Sequence, residues 1–410
     1  MRRGRLLRLV TAFGFAQGAV SMARPAVSCR ALALGADERA IGVIAGVYAL
    51  LPLFAAVPLG RRTDHGRCAP LLPAGVVLMS GGCALSGVAG SLPAMAVRSG
   101  VMGLGHLSFV IGAQSIVARR SESHEQDRDF GHFTIGASLG QLAGPLAAGA
   151  VIGAGTARTS GLALLGSAGA AAVAPGSLWR IEGPVPQGRR GSRSAVPVHR
   201  ILPTRGVPGG IFISLAVLSA TDVLTAYLPV IGEHRGIAPS VVGLLLSLRA
   251  AATIACRLVM TPMIRLMGRT ALLTATCLPA GLLCAGVALP VPVWALAAML
   301  AGLGFCLGAG RPLSTTTVVR AAPAEARSTA PALRLTGNRL GQVAAPASDG
   351  LVAGVAGTAA PFVMLGLLLA AAAGLGLRSG RYRAEHPADP PRTSGHPGIR
   401  ASVPERQERQ

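Results

Sequence analysis

The chain has 410 residues, of which 51% are apolar and only 13% charged, and its formal charge is +22. All 38 basic residues are arginine, so no lysine exists for a GxxxxGK[ST] phosphate loop or a Schiff base, which excludes P-loop ATP drive and protein-amine chemistry. A mean hydropathy of +0.55 belongs to a membrane protein rather than a set of soluble domains.

Taken in chain order, apolar stretches long enough to cross a bilayer of about 30 Å as helices recur twelve times. They are 6–28, 41–60, 70–90, 94–118, 131–153, 160–178, 210–231, 238–260, 270–289, 292–318, 331–353 and 358–377. The basic start MRRGRLLRLV reads as a first membrane helix and not a cleaved leader, because eleven spans follow and Arg24 interrupts any cleavage region. Residues 180–209 are rich in Pro, Gly, Ser and Arg and divide the chain into halves 1–179 and 210–378. Residues 379–410 are polar and Pro-rich, and a disordered tail is expected there. With the amino terminus inside, the inner loops and the linker hold sixteen arginines and the outer loops four (Arg30, Arg39, Arg158, Arg235). That bias predicts both termini in the cytoplasm.

The basic residues punctuate apolar runs, and aromatic residues make up 3% of the chain, so the basic face with stacking aromatics that nucleic acid requires is missing. The seven cysteines (Cys29, Cys68, Cys83, Cys256, Cys277, Cys284, Cys306) show no C-x-x-C spacing. They read as small buried hydrophobes, with neither a metal site nor a disulfide framework.

The halves repeat. GASLGQLAGPLAAG (136–149) lies over GNRLGQVAAPASDG (337–350) at an offset of 201 residues, and the same offset pairs Gly42 with Gly243 and Arg119 with Arg320. Two six-helix halves of equal orientation are parallel repeats about an axis along the membrane normal, with a binding site between them near mid-bilayer.

The loop after the second span reads Gly60-Arg61-Arg62-Thr63-Asp64-His65-Gly66-Arg67. With the repeat, it resembles the G-x-x-x-D-R-x-G-R signature of the major facilitator superfamily, departing from it at His65 and by one residue before Gly66. The second-half counterpart, Thr261 to Arg269, keeps the spacing with Arg265 in place of the acid. Gly140, Gly144, Pro145 and Gly149 match the fifth-helix G-x-x-x-G-P-x-x-x-G motif of the superfamily's proton-coupled exporters. Arg98 to His106 is similar to the family's fourth-helix R-x-x-x-G-x-G, shifted at the glycines. The resemblance implies an all-α integral membrane fold of two six-helix repeats, a conformational motif of Gly60, Asp64 and Arg67 in which Asp64 meets the amino-terminal end of helix 11 and latches the inner side, and a small-residue stripe on helix 5 that favours antiport.

Ionisable residues at membrane depth are costly and therefore candidates for function. Asp222, in the middle of the seventh span, is the favoured proton carrier; the alternative is a permanent salt bridge to Arg249 or Arg24. His106 is a candidate relay, and Asp349 a lesser one, placed near the outer end of its helix where water reaches it. Arg24, Arg98, Arg249 and Arg339, with Gln141 and Asn338, are the candidate substrate contacts, because interior guanidiniums suit carboxylate or phosphate groups.

The expectation is a non-enzymatic, monomeric, twelve-helix carrier in a bacterial cytoplasmic membrane. It exports a small organic compound with an acidic group in exchange for protons and needs no cofactor beyond the proton gradient. Proton symport of an organic acid or sugar, and a non-transporting sensor or scaffold, are the alternatives.

Overall fold

A computed structural model describes residues 3–65, 70–120, 126–153, 157–178, 202–204, 206–321 and 330–385. Among them lie twelve α-helices: α1 (Arg3–Ala33), α2 (Glu38–His65), α3 (Leu71–Gly87), α4 (Leu92–Arg120), α5 (Gln126–Ile152), α6 (Ala157–Leu178), α7 (Val207–His234), α8 (Pro239–Met267), α9 (Arg269–Val287), α10 (Val293–Ala321), α11 (Ala330–Ala356) and α12 (Ala360–Glu385). Each predicted span coincides with one helix, and most helices run past the apolar window because backbone hydrogen bonding continues beyond the stretch chosen for hydropathy. The largest such difference is α12, which proceeds through Glu385 into the segment expected to be a disordered tail. Residues 379–385 contain no proline to stop it; the first comes at Pro387.

The described parts of α1, α2, α4, α5, α7, α8 and α10 are each long and apolar enough to cross a membrane, while α3, α9 and α12 offer shorter apolar stretches. Helix α11 carries Arg334, Asn338, Arg339, Gln342 and Asp349. The exterior is apolar: Leu7, Phe54, Leu258, Leu266, Trp294 and Val355 are largely exposed, as suits a surface solvated by lipid.

The sequence repeat is visible in the backbone. α1 and α7 both end in the same glycine cap, with Gly35 at φ +80° and Gly236 at φ +63°. The amide of Ala36 donates to the Ala31 carbonyl at 2.9 Å, and that of Ile237 to Gly232 at 2.7 Å, the long hydrogen bond of a Schellman motif. These pairs are related by the 201-residue offset.

The halves meet along α2 against α11 and α5 against α8, with α1 touching α7 between them. Both crossings use the same device. A methyl group on Gly42 of α2 would lie 2.5 Å from the Pro346 carbonyl oxygen and 2.7 Å from the Gly350 Cα. One on Gly243 of α8 would collide with the Pro145 carbonyl oxygen and lie 2.8 Å from the Gly149 Cα. These are the same residues shifted by one repeat, and they let the backbones touch near the side predicted to face outward. One turn further along, Gly46 approaches the Val343 carbonyl, and its repeat mate Ser247 donates from Oγ to Leu142 O at 2.9 Å.

Gly42→Ala and Gly243→Ala therefore push two backbones apart, at a cost of about 1–3 kcal/mol each. Gly169, whose Cβ would meet nothing, supplies the control. Melting of the purified protein in detergent should fall by several degrees for the first two variants and stay level or rise slightly for Gly169→Ala, since alanine is the better helix former.

Candidate functional site

Asp222 stands on the buried face of α7, 4% exposed. Its Oδ1 accepts from Arg24 Nη1 of α1 at 2.5 Å, and Arg24 Nη2 also reaches the Asp222 carbonyl oxygen at 3.5 Å. Its Oδ2 accepts from Gln342 Nε2 of α11 at 2.8 Å, and Gln342 Oε1 in turn accepts from Arg339 Nη1 at 3.0 Å. The carboxylate is thus held by one residue from each half and oriented by a third. Its ion pair joins α1 of the first half to α7 of the second, with side-chain exposures of 19% for Arg24 and 6% for Asp222.

From Arg24 the chain of contacts continues into the first half. The guanidinium carbon lies 5.3 Å from the Tyr48 ring centroid, a cation–π distance. The Tyr48 hydroxyl is 2.8 Å from His106 Nδ1, and His106 Nε2 is 3.2 Å from Gln17 Oε1. A tyrosine hydroxyl donating to Nδ1 and an Nε2–H donating to the amide oxygen satisfy a neutral imidazole. Asp222 and His106, singled out separately in the sequence, belong to one polar string running through α11, α7, α1, α2 and α4. A crevice of about 20 Å³ opens beside Arg24, Tyr48, Ser28 and Ser99, room for about one water.

Arg249 on α8 is half-buried, within electrostatic reach of Arg24 and Asp222, and its Nε has no hydrogen-bond partner among the described residues. Tyr48 feels both Arg24 and Arg339. Arg24, Arg249 and Arg339 therefore gather around the single carboxylate of Asp222. Asn338 lies one helical turn from Gln342 on the same face of α11, 4% exposed, with its Oδ1 lacking a partner among the described residues. Such an arrangement can bind an anion, because guanidinium groups in a low-dielectric site form strong charge-assisted hydrogen bonds with a carboxylate or phosphate.

Other predicted positions lie elsewhere. Arg98 donates to the Leu85 carbonyl of α3 at 2.5 Å and does not join the central group. Gln141 is half-buried on α5; its repeat mate Gln342 is the one that holds Asp222. Gly140 and Gly144 pack against the backbone of α1 at Gly14 and Gly18, and Gly149 meets α8. Gly60 and Asp64 fall on the last turns of α2, where the Asp64 side chain is outside the described residues, as is Arg67. The expected contact between Asp64 and the start of α11 therefore lies outside them too. Asp349, expected within reach of water, is instead 0% exposed, since the contact of Gly350 with Gly42 and Tyr227 covers it. Tyr48, Gln17 and Gln342 escaped the sequence reading. The repeat alignment did pair Gln342 with Gln141, and the Tyr48 signal was its position opposite Arg249 at the same offset.

The described cysteines are free thiols, and no cluster of metal-binding side chains occurs among the described residues.

The sequence profile of the Major Facilitator Superfamily matches residues 9–230 and 210–407. No curated protein sequence matches. Among solved structures, the chain is similar to a bacterial homologue of the human lysosomal transporter Spinster in an inward-facing, unoccupied conformation, with TM-score 0.72 and 14% identity over 94% of this chain and 98% of that one. It is similar to the nucleoside transporter NupG, with TM-score 0.71 and 12% identity over 93% of this chain and 100% of the other. A D-xylose-proton symporter superimposes with TM-score 0.73 and 13% identity over 90% of this chain and 96% of that one. At such identities the likeness speaks for the fold.

Removing one member of a buried ion pair strands the other, at about 3–5 kcal/mol, whereas removing both costs far less. Asp222→Asn should accordingly destabilise the protein in detergent melts, and Arg24→Gln on top of it should recover much of the loss. Additive effects in that double-mutant cycle would mean that the two side chains are not coupled.

Proposed function

The chain belongs to the Major Facilitator Superfamily, a multi-pass integral membrane transporter and not an enzyme, and we propose that it carries a small organic anion in company with a proton. The observation that carries this reading is the convergence of Arg24, Arg249 and Arg339 on one carboxylate, Asp222, between the halves.

The sign of the coupling follows from electrostatics. With Asp222 ionised, Arg24 is occupied by it. A proton on Asp222 cancels the negative charge and frees the guanidinium, so the centre becomes more cationic and binds an anion more tightly. By reciprocity the anion raises the affinity for the proton equally. The two ligands bind together, and under an inward proton gradient they travel inward together. Rocking of the halves about the α1–α7 axis exposes the site to each side in turn. The protein acts as a monomer in the cytoplasmic membrane of a bacterium, with the proton gradient as its energy source.

Efflux in exchange for protons is the second reading, favoured by the resemblance of the Gly140, Gly144, Pro145 and Gly149 motif to that of exporters. Under it a cationic or neutral compound competes with the proton for Asp222.

Thermal-shift binding separates the two. Small carboxylates and organic phosphates should stabilise the protein, and more so at about pH 5.5 than at about pH 7.5; quaternary ammonium compounds should not. Stabilisation by the cations, strongest at high pH, would replace symport by antiport. Arg249→Gln should weaken the best anion about tenfold, the equivalent of roughly 1.4 kcal/mol, while leaving the fold intact.

A further inference from the structure

Asp349 has no place in the string around Asp222. It lies on α11, one residue before Gly350, in the crossing where α2, α7 and α11 meet near the predicted outer side. It is 0% exposed, and neither carboxyl oxygen has a hydrogen-bond partner among the described residues. The groups that face it are neutral ones: the Tyr227 hydroxyl on α7 and the Cys284 thiol on α9. Beyond Tyr227 stand Asp37, Glu38 and Arg39 at the head of α2. Tyr227 donates its hydroxyl hydrogen to the Glu38 carbonyl at 3.1 Å. Arg39 donates to the Gly354 carbonyl at 3.2 Å, and Glu38 faces His234 at 3.2 Å. No described basic group touches Asp349.

The repeat supplies a comparison inside the molecule. Shifted by 201 residues, Asp349 becomes Ala148 and Tyr227 becomes Ala26. Ala148 and Ala26 are also buried, 1% and 0% exposed, and the crossing of α5 with α8 closes through the same glycine contacts without any acid. Packing at this position therefore asks only for a small side chain. An acid there is surplus to the architecture, and as an ionised group it would sit in a desolvated site with no donor and no counter-charge, which is the least favourable state a carboxyl group can occupy.

We propose that Asp349 is a proton-binding site of the outer gate, and that the α2–α7–α11 crossing closes only when its carboxyl group carries a proton. When the gate is open, the outer end of α11 separates from Gly42 and Tyr227 and water reaches the carboxylate. Arrival of a proton from outside removes the charge and lets Gly350 settle onto Gly42. This extends the proton-coupled reading, and rests on it for its physiological meaning, but not for its chemistry: closure depends on Asp349 whichever substrate occupies the centre.

The test is hydrogen–deuterium exchange of the full chain in lipid nanodiscs, without substrate, following peptides across 38–48 and 343–356 at about pD 6 and about pD 8.5. Rates are corrected for intrinsic chemistry. Wild type should exchange about tenfold faster at the higher pD in both segments, while the counterpart peptides at the α5–α8 crossing change little. Asp349→Asn, neutral and nearly isosteric, should be protected at both pD values. Asp349→Ala, which copies Ala148, should do the same and serves if the amide variant folds poorly. A wild type with equal protection at both values, or a pD response that survives in either variant, overturns the proposal. Transport that proves independent of the proton gradient, with the Asp349-dependent protection intact, would defeat the coupling reading alone.

Discussion

A charge inside the hydrocarbon layer must find an opposite charge, and in this molecule one carboxylate serves several guanidiniums. Asp222 is bound at once by Arg24 of the first half and Gln342 of the second, so the pair is both the electrostatic keystone and a link between the two halves. Everything at the centre is arranged with respect to it. Tyr48 offers its ring to Arg24, His106 and Gln17 position Tyr48, and Arg339 positions Gln342. The surrounding bundle, built from glycine contacts and apolar faces, supplies a low dielectric in which a single proton changes the balance substantially.

The duplication explains why the polar residues are confined to few places. Where the two halves agree, the residues are structural: the glycine caps at Gly35 and Gly236, and the crossings of Gly42 with Gly350 and Gly243 with Gly149. Where they differ, chemistry appears. Arg24 stands opposite Thr225, Asp222 opposite Ser21, Tyr48 opposite Arg249, His106 opposite Leu307, and Asp349 opposite Ala148. The symmetric residues build the frame, and the asymmetric ones place charged and titratable groups within it. The two crossings between the halves are asymmetric in the same sense. One crossing holds Ala148 where the other encloses Asp349, and the Glu38–His234 pair stands on the rim of the second at 3.2 Å.

Much of this was legible in the sequence. Apolar windows located the helices, because a helix satisfies its own backbone in lipid, and the 201-residue offset paired Gly42 with Gly243 and Gly149 with Gly350 as repeat mates, whereas their contacts across the halves depend on how the helices cross. The central carboxylate was visible as an acid in an otherwise apolar span. Its partner was not fixed, since Arg24 and Arg249 were both within plausible reach and the choice depends on helix rotation and tilt. Gln17 was invisible, because an isolated glutamine in an apolar helix gives no signal until its neighbours are placed, and Tyr48 stood out only as the residue opposite Arg249 at the repeat offset. Arg98 misled for the opposite reason: a long side chain counted as interior extends along its helix to a backbone carbonyl of α3. Asp349 was placed in water by its distance from mid-span, whereas close backbone contact seals the bundle well beyond that depth.

In the proposed coupling a proton and an anion bind together at the Asp222–Arg24 pair. Calorimetric titration of the purified protein with its best-binding carboxylate, repeated near pH 7 in buffers of different ionisation enthalpy, counts the protons exchanged on binding. Net uptake should approach one proton per anion in the wild type and fall near zero in Asp222→Asn. Proton release on binding, or binding with no proton exchange in the wild type, would contradict it.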